Sequence, residues 1–357
     1  MKKTSKIMSL VLAGAMVLSM TACAGNTAET TSAAAKTQET AADTASKAEE
    51  TTGAEASEAS ESETAAKAEG TTYKIGVLQL VQHTALDAAN DGFIAALDDA
   101  GIAYEVDQQN ASGDQSACQT VASKFANEKK DLILAIATPA AQAMVGAVED
   151  TPVLITAVTD PAESGLVDTN EKPGANVTGT SDLTPVKEQI DLLKQLVPEA
   201  KTVGVLYCSA ESNSKIQADM AKEAIAAAGM ESKEYTVSSS NEIQTVVQSM
   251  VGAVDAVYAP TDNVIAAGMA TVGMVAGDNN LPVICGEAGM VQNGGLATYG
   301  IDYYQLGYMT GQQAVKILTE GASPADMPIE YLPAEKCELT VNEETAQTLG
   351  IDVSGLK

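Results

Sequence analysis

The chain has 357 residues, 45% of them hydrophobic, and carries 48 acidic residues against 20 basic ones for a net charge of −28 at pH 7. That balance argues against nucleic acid as a partner, which needs clustered basic residues. All twenty basic residues are lysines, so no arginine fork clamps a carboxylate or phosphate, and an anionic ligand group must meet backbone N–H groups, hydroxyls or a lysine.

Lys2, Lys3 and Lys6 precede an apolar stretch from Ile7 to Met20. It is shorter than the roughly 20 residues of a membrane-spanning helix and reads as a secretory signal over residues 1–22. Met20-Thr21-Ala22-Cys23 resembles the bacterial lipoprotein box, in which the cysteine is lipidated and becomes the mature N-terminus. Residues 23–71 are an acidic Ala/Thr/Ser/Glu tract that cannot bury apolar surface. It is expected to be a disordered tether to a lipid anchor on Cys23.

From residue 72 the pattern alternates strand and helix. Strands are predicted at Tyr73–Leu80, Ala103–Asp107, Leu132–Ala137 and Val153–Ala157. Helices are predicted between and after them at Asp87–Ala100, Asp114–Asn127 and Pro139–Val148. Thr178-Gly179-Thr180-Ser181 reads as a crossing to a second lobe. There the helices are Thr184–Leu196, Asn213–Ala228 and Asn241–Val251, and the strands Thr202–Tyr207, Glu231–Val237, Ala256–Ala259 and Val283–Cys285. Ala297–Gly300 reads as a crossing back into a helix from Tyr304 to Thr319. A strand near Cys337–Val341 and a helix near Glu343–Leu349 close the chain.

The pattern is duplicated. Lys74-Ile75-Gly76-Val77-Leu78 returns as Thr202-Val203-Gly204-Val205-Leu206, and Asp131-Leu132-Ile133-Leu134-Ala135 as Asp255-Ala256-Val257-Tyr258-Ala259. Thr151-Pro152-Val153-Leu154-Ile155 returns as Leu281-Pro282-Val283-Ile284-Cys285. Short apolar runs followed by helical patterns read as buried parallel strands in βα units. The fold class is therefore α/β, with two Rossmann-like lobes of parallel sheet flanked by helices. Two such lobes leave a cleft at the carboxyl ends of their strands, where open α/β sheets bind ligands.

Chemistry-bearing residues concentrate in the loops at those strand ends. Thr138 is expected to cap a helix with Pro139 as its first residue. The free N–H groups at Ala140 and Ala141, with the helix dipole, favour an anion there. Thr156 to Thr159, then Asp160, end the next strand. His83 is the only histidine and is placed on the cleft wall beside Gln82 and Leu86. The second half offers Ser209, Asn213, Asp262 and Glu287 at matching points. A carboxylate opposite an anion-favouring helix start suits a zwitterion. In this reading Asp262 takes the ammonium, with Asp160, Glu287 and Asp302 as rivals. Tyr299, Tyr303 and Tyr304 cluster at the crossing back, and Tyr299 is assigned to the side-chain pocket. No P-loop, GxGxxG, GxSxG, HExxH or CxxC pattern occurs, so no catalytic residue, metal or cofactor is assigned. Cys118, Cys208, Cys285 and Cys337 read as free, buried small hydrophobes.

Gln82-His83-Thr84-Ala85-Leu86-Asp87 with Asp91-Gly92-Phe93, Val177-Thr178-Gly179-Thr180-Ser181-Asp182, Val203-Gly204-Val205-Leu206-Tyr207 and Tyr299-Gly300-Ile301-Asp302-Tyr303 resemble the ABC-transporter substrate-binding lipoproteins associated with tryptophan and tyrosine uptake. The resemblance covers essentially all of residues 72–357. It departs at Thr84, where relatives often carry proline. It implies a hinged type I periplasmic-binding-protein fold with three crossings. The N-terminal lobe would be 72–180 with 299–325, and the C-terminal lobe 181–298 with 326–357. With the lipoprotein box at Cys23, the expectation is a monomer outside the cell, anchored by lipid to the outer face of the bacterial cytoplasmic membrane. That protein would hand a small ligand, expected to be an aromatic α-amino acid, to an ABC permease and its ATPase. A sensory binding protein, a secreted enzyme, and other solutes such as a branched amino acid or a nucleoside are the alternatives.

Overall fold

The computed structural model describes residues 70–356. The expected signal segment, the lipidation site Cys23 and the tether up to residue 69 lie outside the described residues. Among the described residues no helix is long and apolar enough to cross a membrane.

The first run of elements is β1 (Tyr73–Gln79), α1 (Thr84–Asp99), β2 (Tyr104–Asn110), α2 (Gln115–Asn127), β3 (Leu132–Ile136), α3 (Thr138–Val145), β4 (Val153–Val158) and β5 (Val177–Ser181). The second run is α4 (Val186–Leu196), β6 (Thr202–Cys208), α5 (Ser212–Ala227), β7 (Glu231–Val237), α6 (Ile243–Met250), β8 (Ala256–Ala259), α7 (Asn263–Ala267), α8 (Met269–Asp278), β9 (Val283–Cys285), α9 (Ala288–Gln292) and β10 (Ala297–Gly300). The chain ends with α10 (Tyr303–Glu320), β11 (Glu330–Tyr331), β12 (Glu338–Val341) and α11 (Glu343–Leu349).

Two six-stranded sheets result, in the orders β11-β5-β4-β3-β1-β2 and β12-β10-β9-β8-β6-β7. The shared order of β1, β3 and β4 with β6, β8 and β9 is the sequence duplication in space. Every pairing is parallel except β10 with β12. Central strands such as Leu132–Ile136 are buried at every residue, as a parallel strand covered by helices on both faces must be. The edge strands β2 and β7 are half exposed and read YEVDQQN and ESKEYTV, which is why their sequences are polar. Cys118, Cys208 and Cys285 are free and buried; Cys337 is free and half-buried.

The chain crosses between the sheets three times: after β5, after β10 and after β11. Two segments read as crossings are themselves strands, β5 in the first sheet and β10 in the second, and the chain turns over just beyond each. The last crossing falls later than residue 326, because Glu330 and Tyr331 still pair with Thr180 and Ser181 of the first sheet. Tyr299, placed with the first lobe by sequence, pairs with Leu339 in the second sheet. Helix α10 returns to the first lobe and lies against α1. A methyl group on Gly92 would collide with the Tyr304 carbonyl, and one on Gly307 with the Ala89 carbonyl. Glycine at these points lets two backbones touch.

Three short helices, α7, α8 and α9, were not legible in the sequence. Asp262 and Glu287 start α7 and α9 by accepting first-turn N–H groups, and each helix is only five residues long. Helix α8 contains Gly273 and Gly277, which weaken any helical propensity signal. Thr138 does not cap α3. Ala137 holds that position at φ 81, and Thr138 is the first helical residue.

Candidate functional site

Loops from both sheets and from two crossings close tightly around a small cavity of about 10 Å³. The first lobe supplies His83, Leu86, Ala157 and Thr159, and the second Asn213, Thr261, Asp262, Asn263, Ala266 and Glu287. Asp182, from just after the first crossing strand, and Tyr303, from the start of α10, complete the wall.

The lobes touch directly around this cavity. The Gln217 side-chain amide donates to Thr159 Oγ1 at 3.1 Å, and Gln142 to Ser212 Oγ at 3.3 Å. Gln115 donates to the Ala210 carbonyl at 3.1 Å. His83 Nε2 lies 3.4 Å from Asn263 Oδ1. The structure is a closed form, with donors and acceptors joined across the cleft.

The carboxylates differ in how they are occupied. Asp262 Oδ2 accepts the Cys208 N–H at 2.5 Å and its Oδ1 the Ile265 N–H at 2.8 Å. Glu287 accepts the N–H groups of Gly289 and Met290. Both are helix caps first. Asp182 Oδ2 accepts the Tyr303 hydroxyl at 2.7 Å, but its Oδ1 is buried without a hydrogen-bond partner. The nearby Thr159 hydroxyl and the Asp182 backbone N–H also favour the charged form. Burial raises the Asp182 carboxyl to about 6, against the opposing pull of Tyr303. Burial, with the nearby Asp182 charge, raises Glu287 to about 7. Asp262 and its close neighbour Glu211 are both held above the usual carboxylate range, chiefly by burial. His83 is pushed the other way, below its ordinary value, by desolvation. Carboxyl groups therefore crowd a desolvated space into which no lysine reaches.

Helix starts give the complement. Helices α7 and α9 carry a side-chain cap, whereas α1 begins at His83 with none. Its first-turn N–H groups have no intrahelical partner, and the dipole there favours negative charge. Backbone strain marks the ends of two strands of the first sheet. Ala137 and Ala157, at the ends of β3 and β4, hold φ of 81 and 54, conformations that cost about 1–3 kcal/mol for a residue with a Cβ.

Of the residues singled out by sequence, His83, Leu86, Thr159, Asn213, Asp262 and Glu287 meet at the cavity. The others lie elsewhere. Gln82 is exposed. Ala140 is in the core, and Thr138 is buried with its hydroxyl unpaired, outside the cavity wall. Thr156 accepts from Thr180 within a buried threonine chain that reaches Thr310. Asp160 ties its own loop through Ala162, Glu163 and Asn170. Ser209 is exposed and donates to the Val237 carbonyl. The Tyr299 carbonyl accepts from Gln189, and its side chain packs on the second core. Asp302 caps α10 through the Gln305 N–H and borders an outer groove. Sequence reasoning missed Asp182, Thr261 and Asn263 as wall residues, and of the three tyrosines at the crossing back it assigned Tyr299 to the pocket where the structure places Tyr303. Each is at most two residues from a position that carried a signal.

The ABC transporter substrate binding protein family matches residues 74–355. A tyrosine-binding protein of Clostridioides difficile (strain R20291) is 41% identical over 354 residues, covering 98% of this chain and 93% of that one. The crystal structure of an ABC domain in complex with L-Trp from Streptococcus pneumoniae is 39% identical, with a TM-score of 0.77 over 80% of this chain and 97% of that one. A ligand-free, open substrate-binding protein with adhesive properties from Clostridium difficile is 46% identical over the same shares, yet its TM-score is 0.62. The more similar sequence superposes less well, as expected if the two differ in the angle between lobes. On this evidence the chain belongs to the ABC transporter substrate binding protein family, with the type I periplasmic-binding-protein fold and an extracytoplasmic, non-enzymatic role in solute capture.

Proposed function

We propose that this protein captures an aromatic α-amino acid in the interlobe cavity and delivers it to an ABC permease driven by its ATPase. In this reading the chain is processed before Cys23 and held at the outer face of the cytoplasmic membrane by lipid on that residue. The observation that carries the ligand assignment is the buried Oδ1 of Asp182, unpaired in a cavity of carboxyl groups whose wall holds no lysine. Such an acceptor calls for a cationic donor, and an α-ammonium supplies one. Asp182 takes that role in preference to Asp262, whose two oxygens already hold backbone N–H groups. The ligand carboxylate goes to the uncapped start of α1, rather than to the Thr138–Ala140 helix start. Leu86, Ala157, Ala266 and Tyr303 offer apolar faces to a side chain. Proteins similar to this one that are described with tyrosine and L-Trp support an aromatic side chain.

Closure then follows from population shift: contacts from both lobes favour the closed form, and the permease receives it. The test is thermal stabilisation by each of the twenty amino acids. A ligand bound only by the folded state adds about 2.7 kcal/mol at a hundredfold excess over Kd. Shifts confined to tyrosine, tryptophan and phenylalanine support the proposal. Silence with all twenty removes the amino-acid reading and leaves the family assignment intact. The chain has no tryptophan, so the fluorescence of added tryptophan reports its own binding.

A further inference from the structure

We propose that the cavity selects aromatic amino acids whose ring carries an N–H or O–H donor over phenylalanine, through two bare acceptors, His83 Nδ1 and Asn213 Oδ1. The inference rests on the aromatic amino-acid reading and adds a discrimination within it.

Both atoms are buried without a hydrogen-bond partner, and both residues line the cavity, one from each lobe. Their acceptor character is set by Glu211, which stands behind the wall. Glu211 Oε2 receives Asn263 Nδ2 at 2.8 Å and Asn213 Nδ2 at 3.3 Å. It also receives the Asn263 backbone N–H at 3.3 Å. Oε2 accepts in either protonation state of the carboxyl, with any proton on Oε1. An amide end facing that oxygen must be the NH2 end, so both asparagines are oriented with their carbonyl oxygens away from it. Asn263 Oδ1 then faces His83 Nε2. That nitrogen carries the ring proton, and Nδ1 of the neutral imidazole keeps a lone pair. Desolvation favours the neutral ring. Asn213 Oδ1 is left bare by the same logic.

Glu211 and Asn263 are thus positioning residues, and His83 and Asn213 present the result. A phenol or an indole offers one hydrogen-bond donor beyond the amino-acid backbone, whereas phenylalanine offers none. Closing on phenylalanine leaves desolvated acceptors unpaired, a penalty that sites built to bond a ligand hydroxyl or N–H turn into selectivity.

The experiment is calorimetry on the purified full chain with L-tyrosine, L-tryptophan and L-phenylalanine, repeated with His83→Phe. Tyrosine and tryptophan are expected to bind at least about tenfold tighter than phenylalanine. In His83→Phe that ratio should fall at least about threefold, a change in ratio that a uniform loss of affinity for all three ligands does not give. Phenylalanine matching tyrosine on the unaltered protein overturns the inference and leaves the aromatic reading standing. An unchanged ratio in His83→Phe overturns the assignment to His83. Failure of all three ligands to bind sinks the aromatic reading itself. The comparison on the unaltered protein decides the matter even where the variant does not fold.

Discussion

Replacing Asp182 by asparagine should move stability and affinity in opposite directions. The carboxyl is buried, with one oxygen on the Tyr303 hydroxyl and the other bare. Its pKa is raised from 3.8 to about 6, first by burial. Because the folded value is the higher one, the ligand-free protein is favoured below the unfolded pKa, and this advantage is lost as pH rises through about 6. At pH 7.5 the full effect is about 3 kcal/mol. Asparagine carries no charge but must still place an amide in the same desolvated spot, so a net gain of about 1–2 kcal/mol is expected. That corresponds to a rise in Tm of roughly 2–6 °C, present at pH 7.5 and absent at pH 4. Binding should change the other way. Removing one partner of a buried, hydrogen-bonded charge pair costs about 2–4 kcal/mol, or about 30- to 1000-fold in Kd. Differential scanning calorimetry without ligand at the two pH values, with titration calorimetry using tyrosine, measures both. A variant that melts lower at pH 7.5 and binds within threefold of the unaltered protein would refute the reasoning.

Two further outcomes follow from the same structure. Affinity for the amino acid should be nearly flat above pH 7 and fall about tenfold per pH unit below about 6, as Asp182 takes up the proton that displaces the ammonium; tryptophan titrations across pH 4.5–8 check this. Gly307→Ala should destabilise the protein by about 2–3 kcal/mol in urea, because the added methyl meets the Ala89 carbonyl and must part α1 from α10.

The strand pattern was legible because parallel strands buried on both faces are short uninterrupted apolar runs, and here each occurs twice. Val283–Cys285 and Ala256–Ala259 needed no tertiary knowledge to find. Asp182 escaped because its role comes from packing. It sits one residue past a strand, and only the return of α10 brings the Tyr303 hydroxyl onto it. Asp262 attracted attention by its place in the repeat, yet the fold spends its oxygens on the N–H groups of Cys208 and Ile265. Thr156 and Thr138 stand at the right strand ends but point into the first lobe's interior, where Thr156 pairs with Thr180. Sequence alternation tells which strand end a residue occupies; it does not tell which way the chain turns there. Hence the left-handed turn at Ala157, which helps shape the cavity wall, had no sequence signal.

The Tyr303–Asp182 hydrogen bond joins two connecting strands of the hinge. Asp182 follows β5 and Tyr303 follows β10, so the wall proposed to receive the ligand is also part of the joint. A ligand that draws on Asp182 therefore applies its force at the pivot, with no relay of intervening side chains. Swinging the lobes apart would turn the chain about this joint and would load this bond as the cavity opens. Release at the permease and loss of the grip on the ammonium would then be one mechanical event, and a transporter that pries the lobes open would empty the pocket by the same motion.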